Sequence, residues 1–126
     1  GEPQINVLPG VARVDNGRVR VEIGSGAGSL ETSATGVADG THVTVGIRPQ
    51  DCALSARGGN GVEATIAYFE HLLEFGLATS TVAGIEEGIV VQTPAEQSYE
   101  PEQQVTVTAA AERVYLFDTD SGERLR

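Results

Sequence analysis

Strict alternation of apolar and polar side chains at a period of two is the feature that most limits how this chain can fold. In Arg18-Val19-Arg20-Val21-Glu22-Ile23 the aliphatic side chains fall on one face and the charged ones on the other. That is the signature of a strand with one face in a core and one in water. Thr41 to Arg48 repeats the device, with Val43, Val45 and Ile47 turned one way and Thr44, Gly46 and Arg48 the other. Further short strands are predicted over residues 11–14, 51–55, 61–70, 76–83, 89–93, 103–109 and 113–117, about nine in all. Turn chemistry separates them. Asp15-Asn16-Gly17 reads as a type I′ hairpin, because Asn and Gly tolerate positive φ, and Asp39-Gly40, residues 58–61 and Ser121-Gly122 punctuate in the same way. The one helical prediction is a turn at Ala95-Glu96-Gln97 behind Pro94. Many short strands joined by tight turns imply an all-β barrel or sandwich, an arrangement that hides strand edges.

At 126 residues with no dividing linker, the chain reads as one domain, large enough to build a core without disulfides. Its single cysteine, Cys52, cannot form an internal bridge and sits beside Ala53 and Leu54, where a small buried hydrophobe is a better reading than a reactive thiol. No apolar run reaches the roughly 20 residues that a membrane helix requires.

The formal net charge of −10 argues against polyanionic partners, which need clustered cations. All eight basic residues are arginines, scattered along the chain. With no lysine there is no Walker A lysine, Schiff base or lysine general base in this sequence. Gly24, Gly26 and Gly28 alternate without the G-x-G-x-x-G spacing and no helix follows, so they read as a hairpin loop. His42 and His71 have no second ligand at metal spacing; His42 is read on a solvated face and His71 as packing near Leu72 and Leu73. Glu86-Glu87 and Asp118/Asp120 lie in glycine-flanked turns, as solvated loop charges do, and no hydrolase triad is evident. Neither catalytic nor metal-binding residues are predicted. An oligonucleotide-binding barrel would need a basic groove beside its aromatics, and the six here, Tyr68, Phe69, Phe75, Tyr99, Tyr115 and Phe117, have none.

Three segments resemble one known family. Gly1-Glu2-Pro3-Gln4-Ile5-Asn6-Val7-Leu8-Pro9-Gly10 resembles a G-x-P-x-M-N-x-L-P-G stretch, Gly46-Ile47-Arg48-Pro49-Gln50-Asp51 followed by Leu54-Ser55 a G-I-R-P-E-x-x-x-L-S block, and residues 116–125 a closing L-F-D-x-x-T-G-x-R-L. All three belong to the C-terminal regulatory domain of ATP-binding subunits in sugar-type ABC importers, the maltose and glycerol-3-phosphate importer ATPases. The resemblance implies an OB-like, TOBE-type β-barrel with at most one short helical turn, spanning residues 1–126 as a single regulatory domain. It also implies an ATPase domain upstream, which would carry ATP and Mg, so no cofactor is expected here. The implied partners are a second copy, the ATPase domain in cis, membrane permease subunits through the parent protein and, in some members, an inhibitory protein or ligand. The implied location is cytoplasmic, peripheral to the inner membrane.

Ile5, Gln50 and Ser121 replace the usual Met, Glu and Thr, and Leu73 stands where the family tends to have a glycine. The structural or interface residues predicted are Arg48, Pro49, Asp51, Phe117 and Asp118. Pro49 ends a strand, Arg48 is expected to clamp Asp51, Phe117 serves the core or an interface, and Asp118 opens a turn. The alternative is a small-ligand or oxyanion binder of the molybdate type, with Arg48 and nearby backbone N–H groups as its anion site.

Overall fold

The computed structural model describes residues 4–126, so the Gly1-Glu2-Pro3 part of the opening motif lies outside the described residues. Alternation does what the sequence suggests. Along β2 (Arg18–Ile23), Val19, Val21 and Ile23 are buried and the residues between them are not. β1 (Asn6–Asp15) pairs with β2 through the predicted hairpin, where Asn16 and Gly17 both take positive φ, 52° and 77°, and Asp15 faces Arg18. The structure extends β1 back to Asn6, through Pro9, well before the predicted start at residue 11.

Strands β1, β2, β3 (Gly28–Thr32), β4 (His42–Ile47), β10 (Tyr115–Asp118) and β11 (Arg124–Leu125) form a first lobe in the order β11-β10-β4-β1-β2-β3, all antiparallel. A second lobe comprises β5 (Cys52–Ala56), β6 (Val62–His71), β7 (Phe75–Thr81), β8 (Ile89–Pro94) and β9 (Gln104–Ala109), in the order β5-β9-β6-β7-β8. One ladder pair, Gly28 with Val62, joins the lobes into a continuous sheet. Its path runs open from β11 to β8, so the barrel is a coiled sheet whose hydrogen-bonded ring is not closed. Among the described residues there are eleven strands, the additions to the predicted set being β3 and the short β11.

A single core fills both lobes. Leu8, Val21, Ile23, Val43, Val45, Ile47 and Leu116 come from the first, and Val62, Ile66, Ile89, Val91, Val105 and Val107 from the second, each essentially inaccessible. The helical turn predicted after Pro94 is absent: β8 continues through Pro94, and the chain reverses in a turn closed by Gln97 N–H to the Pro94 carbonyl at 3.1 Å. Two 3-10 turns stand elsewhere, at Pro49–Asp51 and Ala111–Arg113. Pro49 opens the first, where its missing N–H costs nothing and its fixed φ suits the turn.

Candidate functional site

The first strand is fastened to the last strand of the second lobe by one side chain. Asn6 is 5% exposed, and its amide donates to the Val90 carbonyl at 2.9 Å and accepts from the Val90 N–H at 2.8 Å. A primary amide carries one donor and one acceptor side by side, as a peptide group does. It therefore satisfies both groups of the β8 edge that a neighbouring strand would otherwise satisfy. The same amide lies 3.9 Å from Cys52 Sγ. Burial, seconded by the charge of Asp51, pushes the Cys52 thiol up to about 12 against the opposing effect of the Asn6 hydrogen bond, so the group is a neutral core side chain.

Because inward and outward side chains alternate, burying Asn6 turns Ile5 and Val7 outward. Both are exposed, and they edge a groove shared with Tyr68, Leu77 and Val90 of the second lobe. Tyr68 reaches this surface through a β-bulge. Pairing of β6 with β7 slips between Ile66 and Tyr68, so Tyr68 faces outward although simple alternation from Val62, Ala64 and Ile66 would bury it. Phe69 is turned inward instead, edge-on to His71 at 4.7 Å and to Tyr99 at 5.7 Å. His71 thus packs on Phe69, with a contact of 3.2 Å between its Nε2 and Ser98 Oγ, and not against Leu72 and Leu73 as expected: those two lie beyond it at the hairpin tip. His42 is exposed, as read from the sequence.

The predicted residues fall around this surface. Phe117 is half-buried on β10 and covers Gly46 together with Ile5: a Cβ placed at Gly46 would lie 3.3 Å from Ile5 Cδ1 and 3.6 Å from Phe117 Cε2. Asp118 opens the closing turn, its Oδ1 accepting from the N–H groups of Asp120 and Ser121 at 2.9 and 3.0 Å. Pro49 is buried at the corner. Arg48 and Asp51 are joined through the backbone, Asp51 N–H to the Arg48 carbonyl at 2.9 Å, and not through their side chains. The ion pairs among the described residues are Arg13 with Glu22 and Arg57 with Glu63. The expected clamp fails because Arg48 is extended before the proline while Asp51 lies round the 3-10 turn, leaving the guanidinium exposed.

The same turn weakens the anion-site reading. The N–H groups of Asp51 and Cys52 are already given to the carbonyls of Arg48 and Pro49, so they do not converge on a ligand beside Arg48. A second depression, at β3 and β9, sets Arg20 across the β2–β3 ladder from Glu31, so an acidic side chain shares it with the arginine. Among the described residues no cluster of three or more His, Cys, Asp or Glu side chains could hold a metal, and no helix is long and apolar enough to cross a membrane.

Against known proteins, residues 1–52 match the MalK OB fold domain and residues 45–117 match the TOBE domain. A curated relative, the sn-glycerol-3-phosphate import ATP-binding protein UgpC of Ruegeria pomeroyi, is 29% identical over 125 residues, which is 99% of this chain. The chain spans 33% of that relative's length. Among solved structures, the cytoplasmic molybdate-binding protein ModG superposes with a TM-score of 0.66 at 20% identity, over 88% of this chain and 94% of its own. That likeness concerns the fold alone.

Proposed function

This chain belongs to the TOBE domain family, and we propose that it is the non-catalytic regulatory and dimerisation part of an ABC importer's ATP-binding subunit. The observation that carries the proposal is the match to the MalK OB fold domain at one end and to UgpC along 99% of the sequence, with two-thirds of that relative left unmatched. In this reading ATP and Mg are bound by the unmatched part, and the solute is a sugar or a related small molecule such as a glycerol phosphate. Two such subunits sit on membrane permease subunits at the cytoplasmic face. Their regulatory domains hold the pair together while the ATP-binding parts open and close.

The geometry fits that task. A sheet spanning two lobes, fastened by Asn6 and filled by one continuous core, is a rigid body that transmits displacement. Its outer face at the lobe junction leaves Ile5, Val7 and Tyr68 exposed. The decisive experiment concerns the parent subunit. Its reading frame should place a P-loop ATP-binding domain before Gly1, and deleting residues 1–126 should leave ATP hydrolysis while weakening subunit association and import. A reading frame without an ATP-binding domain ahead of Gly1 would end the proposal.

A further inference from the structure

Strands β5 and β8 stand at the two ends of the second lobe's order, and among the described residues no ladder joins them: β5 pairs with β9 and β8 with β7. They nevertheless meet, lining one depression of about 420 Å³ from either side. Val90 gives its N–H to Asn6 and not to Thr79 opposite. By the alternation of an antiparallel ladder, Gln92, two residues on, also turns its N–H and C=O away from β7. On β5 the N–H of Cys52 goes to the Pro49 carbonyl and not to Ala109, so Leu54 likewise turns its backbone away from β9. Gln92 and Leu54 both line the depression, which is therefore a seam between two strand edges that no strand covers.

The side chains around the seam carry the same mixed chemistry. Gln50, Gln92 and Gln97 bring three primary amides, each with donors and an acceptor, and Glu74 adds a carboxylate. Tyr99 Oη donates to Gln97 Oε1 at 2.9 Å and so orients that amide. Thr93, in the same lining, is 3% exposed, and its hydroxyl oxygen is buried without a partner. Phe75 and Pro94 place apolar surface beside these polar groups. Glu74 is the one charged side chain of the lining, which disfavours anions, and a single carboxylate among amides is too few for a hard metal ion. The group that suits such a lining is one that both donates and accepts, a hydroxyl. A carbon skeleton bearing several of them also has C–H faces to set against Phe75.

We propose that the β5–β8 seam is a binding site for a small neutral polyol. Its hydroxyls bond to the amides of Gln50 and Gln92 and to the Glu74 carboxylate, and its C–H face lies on Phe75. Bonded to the Leu54 backbone on one side and the Gln92 backbone on the other, the ligand bridges two edges that the fold leaves apart. It does for Gln92 what the Asn6 side chain does for Val90 two residues earlier.

Nitrogen–proton correlation spectra of the 126-residue chain, titrated with myo-inositol and with sorbitol, test the site. Thermal melting would not, since polyols stabilise any fold by exclusion from its surface. Saturable shifts are expected in the backbone amides of Leu54 and Gln92 and in the side-chain amides of Gln50, Gln92 and Gln97. Half-saturation should fall at about 1–10 mM, the range of a small ligand on an open site. Gln50→Ala and Gln92→Ala change side chains outside the core and should each weaken binding by about 3–10-fold, the worth of one or two hydrogen bonds. Gln104→Ala, in a different depression, should change nothing. Sulfate should give no saturable shift at these residues. Shifts that grow without saturating with both polyols, shifts that map elsewhere, or glutamine variants that bind as wild type overturn the site; saturable sulfate shifts in the seam overturn the ligand class. The readout is residue by residue, so a chain that stays monomeric defeats the dimerisation reading and leaves this inference standing.

Discussion

Replacing Asn6 with alanine removes both hydrogen bonds that fasten β1 to the edge of β8, at 2.9 and 2.8 Å. Each bond is worth about 0.5–1.5 kcal/mol net, and a buried partner left without a replacement costs about 1–3 kcal/mol. Water can reach the β8 edge in part, so the expected loss is about 2–4 kcal/mol. With an unfolding entropy of about 2.1 cal/mol/K per residue, 126 residues give about 0.26 kcal/mol/K, so Tm should fall by about 8–15 °C. Urea titration followed by circular dichroism would show the midpoint moving down with little change in slope, since the surface exposed on unfolding is nearly unchanged. Asn6→Asp separates the clamp from mere space-filling. It keeps the shape, yet a carboxylate cannot donate to the Val90 carbonyl and would hold two oxygens together. At neutral pH the aspartate variant should be no more stable than the alanine variant. Protonation supplies the missing donor, so the folded-state pKa of that carboxyl lies above the unfolded one. Its stabilising contribution is therefore present in acid and lost as pH rises through the folded value. An alanine variant within about 0.5 kcal/mol of wild type, below the usual worth of one such bond, would refute the reasoning.

Two further outcomes follow from the core. The Cys52 thiol, held up to about 12 by burial, should resist alkylation at mild alkaline pH until the chain is denatured; because its folded pKa is raised, stability should decline as pH climbs from about 9 toward 12, and Cys52→Ala should flatten that decline. Gly76→Ala would put a Cβ 2.7 Å from Phe69 Cζ and 2.6 Å from Thr93 Oγ1. Overpacking of that kind costs about 1–3 kcal/mol in chemical denaturation, and a neutral result would mean that Phe69 does not occupy the inner position described here.

The residues that obey local rules are the ones whose structure was legible in the sequence. Alternation placed the buried faces of β2 and β4, Asn16-Gly17 located the hairpin, and Pro49 marked a corner, each because the controlling physics lies within a few residues. Arg48 and Asp51 show the limit of proximity: three residues apart, they are joined across a 3-10 turn by a backbone hydrogen bond and form no ion pair. The surface at the lobe junction was hidden for a different reason. Asn6 finds its partner 84 residues away, and nothing near it announces the clamp. Tyr68 owes its exposure to a bulge, and one extra residue in a strand inverts every later side chain without leaving a mark on composition.

Light scattering on the purified chain over a range of concentrations tests the coupling role most directly. The account predicts a mass rising from that of the 13.1 kDa protomer toward twice that value, with no ATP turnover at any point. A mass fixed at one protomer throughout, or ATP hydrolysis by the chain alone, would contradict it.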